Sequence, residues 1–141
     1  MLIDRVGIAR LIPHSGAMCL LDGVLGWDEA RVCCLARSHR SPDHPLRRNG
    51  QLGILCGVEY AAQAMAVHGA LASGNPSLSG YLASVRTVRC HADRLDLLPG
   101  DIRVEAERLH GEAGSAIYRF SLSHADRVLL DGRAAVVLGP R

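Results

Sequence analysis

Gly53-Ile-Leu-Cys-Gly-Val-Glu59-Tyr-Ala-Ala-Gln63-Ala-Met-Ala-Val-His68-Gly-Ala-Leu-Ala72 is the stretch that decides how this chain folds. Its side chains are small or apolar, and only Glu59, Gln63 and His68 interrupt them. A helix that is apolar on every side has to be enclosed by protein or by lipid. It is long enough to span a bilayer. A span, however, would carry those three polar residues and three glycines, with much of its apolar content alanine, and such residues insert at a cost. The stretch therefore predicts a buried core helix. Glu59 and Gln63 stand four apart and share one helical face. An unpaired carboxylate is expensive to bury, so Glu59 calls for a chemical reason.

Outward from that helix, the preceding residues 38–52 are polar, with two prolines and a glycine. They predict a long loop that delivers its side chains to the helix N-terminus, where unpaired N–H groups and partial positive charge gather. Before the loop, Cys19–Trp27 and Arg31–Arg37 read as two paired strands around the turn Asp28-Glu29, and residues 1–10 as a short lead-in. After the helix, Ser73–Ser79 reads as a turn. Strands follow at Tyr81–His91, Ile102–Leu109, Ile117–Ser123 and Val128–Leu138, with hairpin turns at His110–Gly114 and Ala125-Asp126. Two strands, one buried helix and about four more strands predict an α+β fold, a mainly antiparallel sheet with the helix on one face. A long helix wrapped by one curved sheet is the hot-dog arrangement, here a single domain over 1–141.

The 141 residues are enough to bury a core. The apolar fraction of 48% and charged fraction of 21% are those of a soluble protein. A net charge of +2 with few aromatics argues against a nucleic-acid surface. All the basic residues are Arg, which favours planar contact with phosphates and carboxylates. Five cysteines without a C-x-x-C spacing predict reduced thiols rather than a disulfide framework. No signal-peptide pattern is read at the N-terminus, so a cytoplasmic protein is expected. The spacing of His39, His44, Cys33 and Cys34 is not that of a zinc site.

Three signatures carry a resemblance that runs over nearly the whole chain. Glu59-Tyr-Ala-Ala-Gln63 is similar to the Glu-x-x-x-Gln helix motif of hot-dog 3-hydroxyacyl-acyl-carrier-protein dehydratases. Pro13-His14 followed by Leu20-Leu-Asp22-Gly-Val24 resembles their first-strand signature, and Leu98-Pro-Gly-Asp101 the turn before their fourth strand. The fuller wording from Glu59 to Gly69 resembles the small dehydratase-like proteins of aryl-polyene and related lipid gene clusters. The resemblance implies loss of water from a 3-hydroxyacyl thioester carried on the phosphopantetheine arm of an acyl carrier protein. It implies no further cofactor, no metal, and a homodimer or heterodimer in which a His base and a helix carboxylic acid come from different subunits. The thioester oxygen would bind a backbone N–H at the helix start. Here the family's His-x-Pro-Gly loop is altered. Its histidine offset, fourteen residues before the acid, falls on Pro45, with His44 one place earlier.

These observations nominate Glu59 as proton donor and His44 as base. A carboxyl in an apolar pocket is pushed upward in pKa and can donate, while histidine's ordinary pKa suits a base. For each residue a plainer reading stands beside the functional one. Glu59 could pair with an Arg across a dimer, and His44 could be a loop histidine facing water. His39 and His14 are rival bases, His14 being more at home as a structural group. His68, half a turn out of phase with Glu59, reads as a core or rim histidine. Gln63 orients Glu59 or a substrate amide, or is a satisfied core group. Gly53 and Gly57 admit the thioester at the helix start, Gly53 being preferred, or pack under the sheet. Cys56 reads as an inert thiol. Arg40, Arg47 and Arg48 form a rim that would steer an acidic carrier protein, or belong to a solvated loop. Two other functions stay open: a non-catalytic partner subunit of a dehydratase, and a hot-dog acyl thioesterase in which Glu59 activates water.

Overall fold

The structure is a computed structural model that describes residues 1–14, 16–74, 78–112 and 114–140, with the side chains of residues 78–81 and 138–140 left out of the description. The helical elements are α1 (Arg5–Leu11) and α2 (Gly57–Ser73). The strands are β1 (Ile3–Asp4), β2 (Gly23–Trp27), β3 (Arg31–Ala36), β4 (Leu78–Cys90), β5 (Ile102–Glu112), β6 (Ser115–His124) and β7 (Arg127–Pro140). They form one seven-stranded sheet in the order β1-β2-β3-β5-β6-β7-β4, antiparallel at every pairing.

The central stretch folds as expected. A 3₁₀ turn at Ile54–Cys56 leads into α2. Gly74 closes α2 in the left-handed conformation that glycine adopts freely, its N–H bonded to Ala70 O. By length and composition Ile54–Ser73 could pass for a membrane span, yet Tyr60, Ala61, Gln63, Ala64, Met65, Val67 and His68 of α2 are all buried within the protein. The sheet closes over it because its strands alternate: Ile102, Val104 and Ala106 of β5, Tyr118, Phe120 and Leu122 of β6, and Leu130, Ala134 and Val136 of β7 face inward. Gly57 is a packing position. A Cβ there would lie 2.8 Å from Leu130 Cδ2 and 3.0 Å from Leu122 Cδ2.

Three boundaries differ from expectation. The lead-in of residues 1–10 folds into β1 and α1, with Asp4 capping α1 by accepting a 2.9 Å bond from Gly7 N–H. Ile8 and Ile12 from this segment are buried in the core. The strand expected from Cys19 begins only at Gly23. Leu20 cannot join the ladder because its N–H goes to Gln63 and its carbonyl to Ser38. The hairpin placed at His110–Gly114 is tighter, with β5 and β6 pairing out to Glu112 and Ser115. The Ala125-Asp126 turn stands, both residues having positive φ (48° and 64°) as a two-residue hairpin loop requires. The turn expected at Ser73–Ser79 falls largely outside the described residues.

The two sheet edges are unequal. β1 has two residues, while β4 has thirteen and, among the described residues, pairs only with β7. A long open edge is a template for another strand. β4 also carries a bulge, where Thr87 takes φ 54°, outside the range a β-branched residue ordinarily adopts.

Candidate active site

Glu59 lies in the first turn of α2, on a stripe with Leu55, Val58 and Ala62 that the fold leaves partly open. Its side chain is 36% exposed. His14 Nε2 is 3.3 Å from Glu59 Oε1, and Gln63 Nε2 donates to the same oxygen at 3.4 Å. The bond from His14 is the main reason that the Glu59 carboxyl sits below its ordinary pKa. Burial opposes this, and the Gln63 bond adds to it. The expected apolar pocket with a raised pKa is therefore not what this chain provides alone. Glu59 is a half-open carboxylate, held ionised by a histidine of its own chain rather than paired with an Arg.

Gln63 is fully buried and fully used. Its carbonyl accepts from Leu20 N–H at 2.8 Å, and its amide donates to Met18 O at 2.7 Å as well as to Glu59. The Leu20 N–H needs an acceptor and the Met18 carbonyl a donor, which fixes the orientation of the amide. Gln63 thus ties the Met18–Leu20 segment to Glu59.

His44 stands elsewhere. It is 5% exposed, and its Nε2 lies 2.9 Å from the Tyr60 hydroxyl. Leu46 N–H donates to its Nδ1 at 3.1 Å. A backbone N–H can only donate, so Nδ1 is an acceptor and Nε2 carries the proton. Burial holds its pKa below the ordinary histidine value, with the positive charge of Arg47 and the neighbouring His39 acting the same way. Neither nitrogen is left to take a proton from substrate. His44 is nearly buried and its ring bonds Tyr60 rather than Glu59.

His39 is also buried, bonded through Nε2 to Leu98 O at 3.1 Å. His68 is a core histidine bridging Tyr118 Oη (2.6 Å) and Asp28 O (2.9 Å). Of the four histidines weighed from the sequence, only His14 reaches Glu59. The arginines divide as well. Arg47 spends its guanidinium on Gly50 O and His39 O. Arg40 bonds Pro99 O and Asp101. Among the described residues the Arg48 guanidinium makes no hydrogen bond or ion pair, so it is the one of the three free to meet a partner.

The helix start is open. Gly53 has empty space beside its Cα. Ile54 N–H is taken by Asp93 O and Cys56 N–H by Gly53 O, which leaves the Gly53 and Leu55 amides without an acceptor among the described residues. Asp96 anchors this corner by accepting from Leu52 N–H at 2.9 Å. Cys19, Cys33, Cys34, Cys56 and Cys90 are all free thiols. Sequence reasoning passed over Tyr60 and Ser38, which bond each other at 2.7 Å under the loop. The one signal for Tyr60 was its hydroxyl, next to Glu59 in a largely apolar helix.

The family model for ApeP dehydratases, the ApeP-like family, matches residues 6–140 of this chain. No curated protein matches it. Among solved structures it is similar to the dehydratase heterocomplex ApeI:P from Xenorhabdus doucetiae, with 22% identity, 95% of this chain and 91% of that chain covered, and a TM-score of 0.82. It is also similar to a thioesterase from Haemophilus influenzae (11% identity, 84% and 78% covered, TM-score 0.61). A hypothetical thioesterase with coenzyme A from Streptococcus pneumoniae is similar too (9% identity, 84% and 85% covered, TM-score 0.60). These likenesses show the hot-dog fold. The chain belongs to the ApeP-like dehydratase family.

Proposed function

We propose that this member of the ApeP-like dehydratase family removes water from a 3-hydroxyacyl thioester on an acyl carrier protein. The product is the trans-2-enoyl thioester, in aryl-polyene-type biosynthesis. The chain works as one subunit of a two-chain hot-dog assembly. One observation carries the reading: Glu59, oriented by His14 and Gln63, stands in the partly open apolar stripe of α2 beside an open helix start. Of the four histidines weighed from the sequence, His39, His44 and His68 are buried on other partners and His14 is on the carboxylate itself, so none of them stands opposite Glu59 as a base.

The chemistry follows from that division. A base on the second subunit takes the proton α to the thioester carbonyl. The electron pair forms the double bond, and the C3–O bond breaks as Glu59 delivers a proton to the departing hydroxyl. Free amides at Gly53 and Leu55 receive the thioester oxygen at the positive end of the helix. In the lone chain Glu59 is ionised and cannot donate. A subunit laid over the Leu55–Ala62 stripe would exclude water and move its pKa up. Assembly then switches the acid on. The open edge of β4 lets a second sheet continue this one, and the ApeI:P complex, similar in fold, is a dehydratase heterocomplex. Arg48, with its guanidinium unengaged, supplies the contact to an acidic carrier protein.

The test is to assay a 3-hydroxyacyl-pantetheine thioester with the chain alone and with an ApeI-type subunit. The reading expects enoyl thioester from the pair and little from the lone chain. Free thiol released without enoyl product would make the pair a thioesterase and overturn the reading.

A further inference from the structure

The hydrogen bonds around His44 extend much further than its own contacts, and every proton in them can be assigned. Ser38 Oγ lies 2.7 Å from Leu20 O. A carbonyl only accepts, so the Ser38 proton is spent there. Ser38 Oγ must then accept from the Tyr60 hydroxyl at 2.7 Å. That uses the single Tyr60 proton, so Tyr60 Oη accepts from His44 Nε2–H at 2.9 Å. His44 Nδ1 closes the series by accepting from Leu46 N–H. At the far end Leu20 is gripped a second time, its N–H held by Gln63, which also holds Glu59.

We infer that His44 is a positioning residue for Glu59, acting through Tyr60, Ser38, Leu20 and Gln63 as one directed chain of hydrogen bonds. The linkage is mechanical. Ser38 and Gln63 pin Leu20 from both sides, so its segment cannot join β2 and stays where Gln63 can reach the carboxylate. The loop over residues 38–52 thereby sets the geometry of the acid without touching substrate. The role deepens the dehydratase reading and rests on Glu59 being its acid.

The chain runs in one sense only, with His44 neutral. A second proton on Nδ1 would set an N–H against the Leu46 N–H. Around His44 stand Arg47 and His39 from its own loop, Tyr60 from α2, and, across a cavity of about 440 Å³, Arg5, Asp22, Arg37 and Asp43. Burial and the neighbouring Arg47 favour the neutral ring, so the chain holds at neutral pH.

The experiment follows the Glu59 titration by carboxyl NMR in the isolated chain, which needs no turnover, and then kcat and KM in the two-subunit complex. His44→Ala and Tyr60→Phe are each expected to raise the Glu59 pKa as Gln63 loosens. They should lower kcat by about tenfold, as a misplaced group does, with KM within about twofold. His44→Gln restores a donor to Tyr60 and is expected to recover most of both. Tyr60→Phe keeps the ring, so it answers the question even where His44→Ala fails to fold. An unmoved Glu59 titration in Tyr60→Phe overturns the inference. So does loss of all turnover in both His44 variants with the titration unmoved, which would make His44 the base itself. If the wild-type complex shows no turnover but the titration shifts as described, the chain of bonds stands and the dehydratase reading is what fails.

Discussion

His14 and His44 both depart from the parts that the sequence suggested for them. His44 lies close before the helix and invites the role of base, yet its two nitrogens are spent on Tyr60 and Leu46. His14 lies forty-five positions before Glu59 and reads as a strand-junction residue, yet it holds the carboxylate. Spacing along a helix made Glu59 and Gln63 legible, because four residues is one turn. No short spacing encodes the bond of His14 to Glu59 or that of His44 to Tyr60, which arise only when His14 and the loop before α2 are brought against the helix. If the His14 bond is what keeps Glu59 below its ordinary value, His14→Ala raises the Glu59 pKa in the isolated chain. NMR titration reads the shift directly, and an unchanged value would leave the pair without effect. The sign carries over to stability. A depressed carboxylate stabilises the fold above its unfolded pKa, and that contribution is lost as pH falls through the folded one. Glu59→Gln should therefore flatten the wild type's acid limb.

Among the elements, α2 was readable from its composition alone and β5 to β7 from their alternation. β1 and α1 were not, because Leu2 to Leu11 shows no long period and depends on the Asp4 cap and the burial of Ile8. The late start of β2 was equally hidden, since two side chains distant in sequence divert Leu20 from the ladder. Gly57 could be read from sequence as a binding or a packing glycine. The structure places Leu122 and Leu130 against it. An added isopropyl group has nowhere to go in that contact, so Gly57→Val should destabilise the chain by about 1–3 kcal/mol through overpacking. A urea midpoint equal to that of wild type would show that the sheet can give way there.

At the scale of the whole molecule, the fold stores several histidines in their neutral form. His39, His44 and His68 are buried, and burial is the leading cause that lowers each pKa below the ordinary value of 6.5. The unfolded chain binds these protons more readily. Their contribution is fully present above pH 6.5 and is lost as pH falls toward the folded values, at about 1.4 kcal/mol per proton per pH unit. Urea unfolding from pH 7.5 to 5.5 should show the midpoint falling on the acid side. A midpoint that stays level would mean that the buried rings take up protons without strain. The same scale shows why the sequence could not settle between a complete enzyme and a subunit. That depends on the open β4 edge and on the half-open stripe around Glu59, which are surfaces rather than motifs.

The central claim is that Glu59 delivers the proton to the departing hydroxyl once a second subunit covers it. The most direct measurement is the rate of enoyl-thioester formation by the assembled complex carrying Glu59→Gln, set beside that of the unaltered complex. The amide keeps the size and the contact with Gln63 but cannot transfer the proton, so the rate should fall by about 10²–10⁴-fold. A Glu59→Gln complex that turns over at the unaltered rate would contradict the account.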